Sequence, residues 1–542
     1  MGVEVTLYAG ADDAEKSEFC MQGMIHDQAW DTKALVDQGK PQERFQGFYP
    51  FPYGPKTIEA VKVLSSLDLF HYMKDIFRHD LMEAMGHKVG PMPVDGLAVT
   101  HEHMDHMGLT SYVRHDLLTW QHRLASMIGY SWQETSNPSL NQFRYVKAQL
   151  ARMPTVDGRD KYVSGEVMNL DRNIEHFESE EPFKIGNMTF TPYLVDHSLP
   201  GACAFIIKTS EGKIAWSGDF RLRGYRPQDT LKFLDAAKEA DFFFIEGSLL
   251  YFDHYGTEKD VVEILAEQMP EDGLTLTIEP PRDMDRKRTI ADACKMKGKM
   301  NAIPVDAAVR LKQFNGENGY PKLSNRHIGV YLEPKGKGLL DTEEEDERLK
   351  DSDYYRWQRW ALDLPVWDGK DEPRPQRVRW EDIREYQEHF CISGVGMHNL
   401  ESVILAAQPR PSSEYFRLHP GPWTRRMRDD EAIIVNILEA AGIYKGPHVD
   451  YLDERYLKQG DMFRQGKSPR RHRLKTIHVT GHCNRFELAE KLQEFPEDTV
   501  FVPNHTMYLK HFRDIAPDHL VAMIERKKTV SLEELRKDAV RA

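Results

Sequence analysis

Apolar residues along this chain fall mainly into short runs of strand length. LYAG near the N-terminus and ALVDQG at 34–39 read as strands that end in turns. PFKIGNMTFTPYLVDHS, ACAFIIKTS and GKIAWSGDF follow as a second group, with Glu211-Gly212 as a hairpin turn. DFFFIEG at 241–247 is apolar without alternation, the pattern of a strand buried on both faces. Elsewhere the spacing is helical. Val61, Leu64, Leu67, Leu69, Tyr72 and Ile76 predict a helical stretch from about Ile58 to Met85. The short run Leu97-Ala98-Val99 then predicts a strand. Beyond Gly256 the pattern becomes helix (GTEKDVVEILAEQM), strand (LTLTIEP) and helix (RKRTIADACKMKG), the alternation of an α/β unit with a partly parallel sheet. HFCISGVG, TIHVTGH and TVFVPNH continue the strands, and RFELAEKLQEF reads as a helix between the last two.

Composition narrows the class. The chain has 542 residues, enough for two or three domains at roughly 100–200 residues each. It is 40% apolar, with charges of both signs, as expected of a globular protein. No apolar run approaches the roughly 20 residues that span a bilayer, so no membrane partner is expected. MGVEVTLYAGADD has no basic segment followed by an apolar one, so no secretory leader is expected. The five cysteines are scattered, without a C-x-x-C pair, which points to a reducing, cytoplasmic setting. The net charge of −14 counts mildly against a dedicated duplex-DNA binder. An acidic, Trp- and Pro-rich stretch at about 335–379 is expected to be a solvated surface insertion.

The chemistry concentrates in Thr100-His101-Glu102-His103-Met104-Asp105-His106-Met107-Gly108. Three histidines and an aspartate within six residues, just past a strand end, suit zinc, which takes imidazole nitrogen and carboxylate oxygen. His101 and His103 can converge on one ion from a loop, while Asp105 and His106 turn to a neighbouring ion.

This segment resembles the H-x-H-x-D-H motif of the metallo-β-lactamase superfamily. The resemblance extends in chain order. Asp37 follows an early strand as an orienting acid, Val195-Asp196-His197-Ser198 supplies a further histidine, and Ser217-Gly218-Asp219-Phe220 supplies a bridging aspartate. DHSLPGACAFIIKTSEGKIAWSGDFRLRG is similar to the corresponding stretch of the β-CASP nucleases, the ribonuclease J branch. Three later motifs fit that branch: Phe244-Ile245-Glu246-Gly247-Ser248, Ile477-His478-Val479-Thr480-Gly481-His482 and Val502-Pro503-Asn504-His505. Asn504-His505-Thr506-Met507 departs from it in lacking Gly-Glu after the histidine.

The resemblance implies an α/β fold, a metallo-β-lactamase αββα sandwich with an inserted α/β β-CASP domain. Residues 1–255 and 446–542 would form the sandwich, and 256–445 the insertion. It implies two Zn2+ ions, with Mn2+ or Mg2+ as substitutes. His101, His103 and His197 would hold the first, Asp105, His106 and His505 the second, with Asp219 bridging. Asp105, Asp219, Glu246 and His482 would form the catalytic set, His482 as general acid and Glu246 as its orienting carboxylate. His478 would contact a substrate phosphate. The basic residues Lys467, Arg470, Arg471, Arg473 and Lys475 would neutralise a phosphate backbone, whereas the cluster Arg282, Arg286, Lys287 and Arg288 reads equally as a phosphate-facing patch or as an ordinary solvated face. Ser393-Gly394-Val395-Gly396 is a turn, with a terminal-phosphate cradle as the weaker reading.

The expectation is a zinc-dependent hydrolase of the EC 3.1 class, a ribonuclease acting on single-stranded RNA as 5′-3′ exonuclease, endonuclease or both. His505 favours RNA, because DNA-repair members of the branch carry valine there. Hydrolysis of DNA, or of a small ester or lactone, is the alternative. Assembly into a homo-oligomer is left open.

Overall fold

The computed structural model of the chain describes residues 2–11, 19–49, 53–55, 60–71, 73–84, 87–136, 142–154, 160–250, 256–333, 351–369, 374–419, 425–443, 475–506 and 509–541. It is a mixed α/β structure with several sheets.

Val3–Ala9, Gln22–Asp27 and Thr32–Gln38 form an antiparallel meander. Gly96–Ala98, Thr119–His122 and Ile174–Phe177 extend it in parallel, and Thr529–Ser531 closes its other edge, giving seven strands. A second, eight-stranded sheet runs from Phe183–Ile185, Met188–Leu194, Cys203–Thr209 and Gly212–Trp216 into the parallel strands Phe242–Glu246 and Val500–Asn504.

Residues two apart on a strand face the same side, and that rule builds the core between these sheets. Val3, Val5, Leu7, Ile25, Ala34 and Val36 meet Phe190, Phe205, Ile207, Trp216, Phe244 and Val502 in one buried cluster. Trp216 stacks on Phe244 with ring centroids 4.9 Å apart. Truncating a buried ring such as Phe205 to alanine costs about 3–5 kcal/mol. The outer faces carry helices. Leu35, Leu97 and Val99 pack with Val61, Leu64, Phe77 and Leu81. Ala215, Phe243, Ile245 and Phe501 pack with Phe233 and Leu234 of helix Pro227–Ala237 and with Leu488 and Leu492 of helix Arg485–Leu492. The layering is helix, sheet, sheet, helix. It explains why Phe242 to Ile245 is an unbroken apolar run, since both faces of that strand are covered.

The chain leaves the eight-stranded sheet after Glu246 and returns at Val500, beside the strand it left. The intervening residues build a third sheet in the order Ile328–Tyr331, Met300–Pro304, Phe390–Ile392, Thr275–Ile278, Glu414–Arg417, Lys475–Thr476. All of its pairings are parallel, a stricter arrangement than the partly parallel sheet expected. Helix Glu258–Gln268 opens with a Thr257/Asp260 capping box. Helix Met284–Lys297 is capped by Asp283 and ends at Gly298 in the left-handed conformation.

Two local expectations change. The stretch expected to be helical from Ile58 to Met85 contains two short helices, Ala60–Ser66 and His79–Ala84. Asp68 (φ 60°) and Asp75 (φ 70°) adopt left-handed backbone between them, where no helix continues. Tyr145–Pro154 and Asp160–Asp171 form a separate two-stranded ribbon. The acidic stretch is anchored in part: Tyr354 and Ala361 are buried, and Trp357 and Trp360 pack against the core. Residues 334–350 and 370–373 of that stretch lie outside the described residues. All five cysteines are buried free thiols. Among the described residues no helix is long and apolar enough to cross a membrane.

Candidate metal centre

The His/Asp segment follows strand Gly96–Ala98 as an extended loop and then winds into the short helix Met104–Met107. His101 and His103, two apart on the extended part, converge. Asp105 and His106 are delivered by the helical turn. Gly39 makes this seating feasible: a Cβ there would lie 1.6 Å from the Asp105 carbonyl oxygen. Lys40 N–H and Met21 N–H donate to the carbonyls of Met104 and Asp105, at 2.7 and 2.9 Å, and fix the turn. Asp219 enters from the end of Gly212–Trp216 behind Gly218, whose φ of +54° favours glycine. His505 follows Val500–Asn504 with its own backbone left-handed at φ 50°. Non-glycine residues hold that conformation at a cost, and such outliers gather at functional sites.

The result is two groups of donor atoms sharing one carboxylate. His101, His103, His197 and Asp219 form the first, and Asp105, His106, Asp219 and His505 the second. In the first, His103 Nδ1 lies 3.1 Å from His101 Nε2 and 2.9 Å from His197 Nε2. In the second, His106 Nε2 lies 3.2 Å from both His505 Nε2 and Asp219 Oδ2. Asp105 Oδ2 is 3.5 Å from His505 Nε2. Ligands about 2.0–2.1 Å from a tetrahedral zinc ion stand about 3.3 Å apart, so this spacing suits a cation in each group. Asp219 is 1% exposed, yet among the described residues neither carboxylate oxygen has a hydrogen-bond partner. Buried carboxylates are normally satisfied, and a cation on each oxygen answers the deficit. The donor set fits a metal centre.

Hydrogen bonds fix which nitrogen of each ring faces inward. His106 Nδ1–H donates to Asp37 Oδ2 at 2.8 Å, and His197 Nδ1–H donates to the Gly481 carbonyl at 2.6 Å. With Nδ1 so engaged, His106 and His197 turn Nε2 toward the other donors. Asp37 is itself held by the N–H and hydroxyl of Thr100, each at 2.8 Å. Ser248 Oγ lies 3.0 Å from His505 Nδ1.

Burial and neighbouring imidazoles hold the His101 and His197 pKa well below the ordinary value, and burial takes His103 down to about 4. These rings are neutral, as ligation requires. Burial also lowers His106, but Asp219 and Asp37 outweigh it and raise that ring well above the ordinary value.

Glu246, Asp219 and His482 make a third group beside the shared aspartate. Glu246 accepts the Ser248 N–H at 2.7 Å through one oxygen, and its other oxygen lies 3.2 Å from His482 Nδ1. Burial disfavours a charged His482, yet Glu246 and Asp219 raise it to about 9. His482 is 23% exposed and faces a cavity of about 370 Å³. That cavity is lined by His103, Asp105, His197, His478 and His505 of the expected set. Gln42, Glu43, Gln46, Pro280 and Asp283 line it too, from two other parts of the chain.

The structure thus gathers His101, His103, Asp105, His106, His197, Asp219, Glu246, His482 and His505, with Asp37 behind them and His478 at the cavity wall. Arg470, Arg471 and Arg473 lie outside the described residues, as does Lys467. The first basic cluster is not a phosphate-facing patch. Arg282, Arg286 and Lys287 are buried and paired with Glu102, Glu258 and Glu279. Arg288 lies over the Tyr225 ring. Ser393 to Gly396 is a turn, its Gly394 and Gly396 N–H groups donating to the side chains of Glu279 and Asn399. Thr100, Ser248 and the Gly481 carbonyl were missed as supports. They adjoin the motifs, but nothing in their order tells which atom they hold.

No model of a known protein family and no curated protein matches this chain. Among solved structures, a protein of unknown function from Enterococcus faecalis V583 is similar over 98% of this chain and 100% of its own, with a TM-score of 0.64 and 14% identity. At that identity the likeness is one of fold. The metallo-beta-lactamase fold protein YhfI from Bacillus subtilis aligns with 49% of this chain and 81% of its own, at 13% identity and a TM-score of 0.26. A superposition that loose carries no weight.

Proposed function

We propose that the protein is a metal-dependent hydrolase of the metallo-β-lactamase fold, and within it a β-CASP ribonuclease acting on single-stranded RNA. The observation that carries the hydrolase reading is Asp219, a buried carboxylate with two unpartnered oxygens between two sets of inward-facing donors. The four-layer sandwich and the order of motifs along the chain support the superfamily. Glu246 and His482, and a parallel α/β unit entered after Glu246 and left before Val500, support the branch. On this reading the inserted unit runs from about 256 to 476, since its sheet closes on Lys475–Thr476 instead of ending by 445.

Two zinc-type cations would supply Lewis acidity and charge neutralisation at a phosphate centre. The remaining work falls to the chain. Asp37, Ser248 and the Gly481 carbonyl orient the donor rings. His482, protonated at neutral pH and braced by Glu246, gives its proton to the leaving oxygen. His478 contacts the substrate at the cavity wall.

One observation favours the second reading, a small ester or lactone as substrate. The described lining of the cavity includes Glu43 and Asp283 but no lysine or arginine. The deciding experiment offers the purified protein 5′-monophosphorylated single-stranded RNA, the matching DNA, and a panel of lactones and esters, with Asp105→Ala/His106→Ala as control. Metal-dependent RNA cleavage absent from the control is the expected result. Lactone or ester turnover with intact RNA would replace the ribonuclease reading with the small-substrate one. Cut DNA with intact RNA would overturn the inference from His505.

A further inference from the structure

Behind the donor rings lies a second cluster of buried charge, centred on Asp285 in helix Met284–Lys297 of the parallel-sheet unit. The Asp285 backbone N–H donates to the Ser198 carbonyl at 3.0 Å, one residue past His197. Its Oδ2 accepts from Arg221 Nη2 at 2.5 Å and Arg226 Nη2 at 3.0 Å. Its Oδ1 accepts from Arg226 Nη1 at 3.0 Å and the Tyr320 hydroxyl at 2.5 Å.

The guanidiniums reach onward to the backbone of the donor loops. Arg226 Nη2 donates to the His197 carbonyl at 2.8 Å, and Arg221 Nη1 donates to the Thr480 carbonyl at 3.2 Å. Arg286, the next residue of the helix, donates to the Val479 carbonyl at 2.9 Å. The neighbouring Gly481 carbonyl then accepts His197 Nδ1–H. Two loops from distant parts of the chain are therefore tied to one carboxylate and to each other. A guanidinium is a planar fork with donors in fixed directions, so it transmits orientation as well as charge.

We propose that Asp285 is a positioning residue that sets, through Arg226 and Arg221, the loops presenting His197 and His482, so that the first donor group is complete only when the parallel-sheet unit is docked. The proposal rests on the reading of His101, His103, His197 and Asp219 as a metal site. It makes an asymmetric demand. Asp105, His106 and His505 have no hydrogen bond to this network among the described residues, so the second group should be insensitive to it.

Removing one partner of a buried ion pair is strongly destabilising, so Asp285→Ala would mix a folding defect with any effect on the site. Asp285→Asn keeps the shape and an acceptor, and Tyr320→Phe deletes only the hydroxyl, which donates to Asp285 and accepts from Arg226 Nη1 at 3.0 Å. Zinc affinity is read by competition with a chromophoric chelator, on the full chain, in two backgrounds. His505→Ala leaves the first group intact, and His197→Ala leaves the second. Asp285→Asn should weaken zinc about tenfold in the His505→Ala background and less than about twofold in the other. Tyr320→Phe should act in the same direction by about threefold. Amide hydrogen exchange should accelerate over residues 196–203 and 478–484 in both variants. Equal losses in the two backgrounds, or none in the first, overturn the proposal and leave the network a structural brace. If no background binds zinc, the metal reading fails separately. Exchange over the two loops then decides, and unchanged protection overturns the positioning role.

Discussion

Asp285 and Asp219 are both buried aspartates surrounded by nitrogen, and they are satisfied in opposite ways. Asp285 is embraced by Arg221, Arg226 and Tyr320, and the nearby Asp196 and Glu258 balance the remaining cationic charge. Asp219 faces imidazoles, and among the described residues no hydrogen bond reaches either oxygen. Buried charge in proteins is paired, or it coordinates metal. The first cluster is finished when the chain folds. The second is finished by something the chain must acquire, and its histidines are the groups that would share the task.

The sharpest way to break this contrast is Asp219→Asn. Metal-dependent turnover should fall at least about a thousandfold, roughly 4 kcal/mol of barrier, and bound zinc should drop at both groups. Full zinc stoichiometry in that variant would remove Asp219 from the bridging position. Next in size is Arg221→Met, which leaves buried carboxylates uncompensated. Denaturant melts should show a loss of about 3–5 kcal/mol without zinc and a somewhat larger one with it, because Arg221 also holds the Thr480 carbonyl beside the first group. A loss confined to the zinc-loaded protein would merge the two clusters into one. Chelation comes third. At free zinc one hundred times the dissociation constant, each site contributes about 2.7 kcal/mol, so a chelator should lower the wild-type melting temperature and leave Asp219→Asn unmoved.

The smallest effect concerns His482. Its folded value of about 9 stands above the ordinary imidazole value of 6.5. The ring's contribution to the metal-free protein is therefore complete below about 6.5 and is lost as pH rises through about 9. Glu246→Gln should pull that value down by about one unit, roughly 1.4 kcal/mol, in an imidazole NMR titration. An unmoved titration would strike Glu246 from its role. Adding zinc should lower the value as well, because cations beside Asp219 oppose an imidazolium.

The donor residues were readable because each stands at a strand end inside a short, dense motif, and strand ends could be located from apolar runs such as Leu97-Ala98-Val99 and Phe242 to Ile245. The unreadable parts depend on distant partners or on backbone sign. Arg282 looks like a free cation in EPPRDMDRKR, yet its guanidinium donates to the Glu102 carbonyl at 2.5 Å, a contact made by the fold and not by neighbours in sequence. The apolar spacing from Val61 to Ile76 is genuinely helical, and Val61, Leu64, Leu67, Leu69 and Ile76 do share a core. What spacing omits is the left-handed backbone at Asp68 and Asp75, which lets two short helices supply one face. Trp357 and Trp360 sit among acids, and the acids dominated the reading although the rings dock on the core.

The adjacency of Phe242–Glu246 and Val500–Asn504 also bears on how the protein is made. The strand that delivers His505 pairs with one synthesised far earlier, and a whole parallel-sheet unit must emerge in between. Pairings of such long range form late and slowly. A chain still on the ribosome therefore carries the first donor histidines but cannot close the second group until residue 505 has been translated. Interrupted synthesis yields a product without a finished centre.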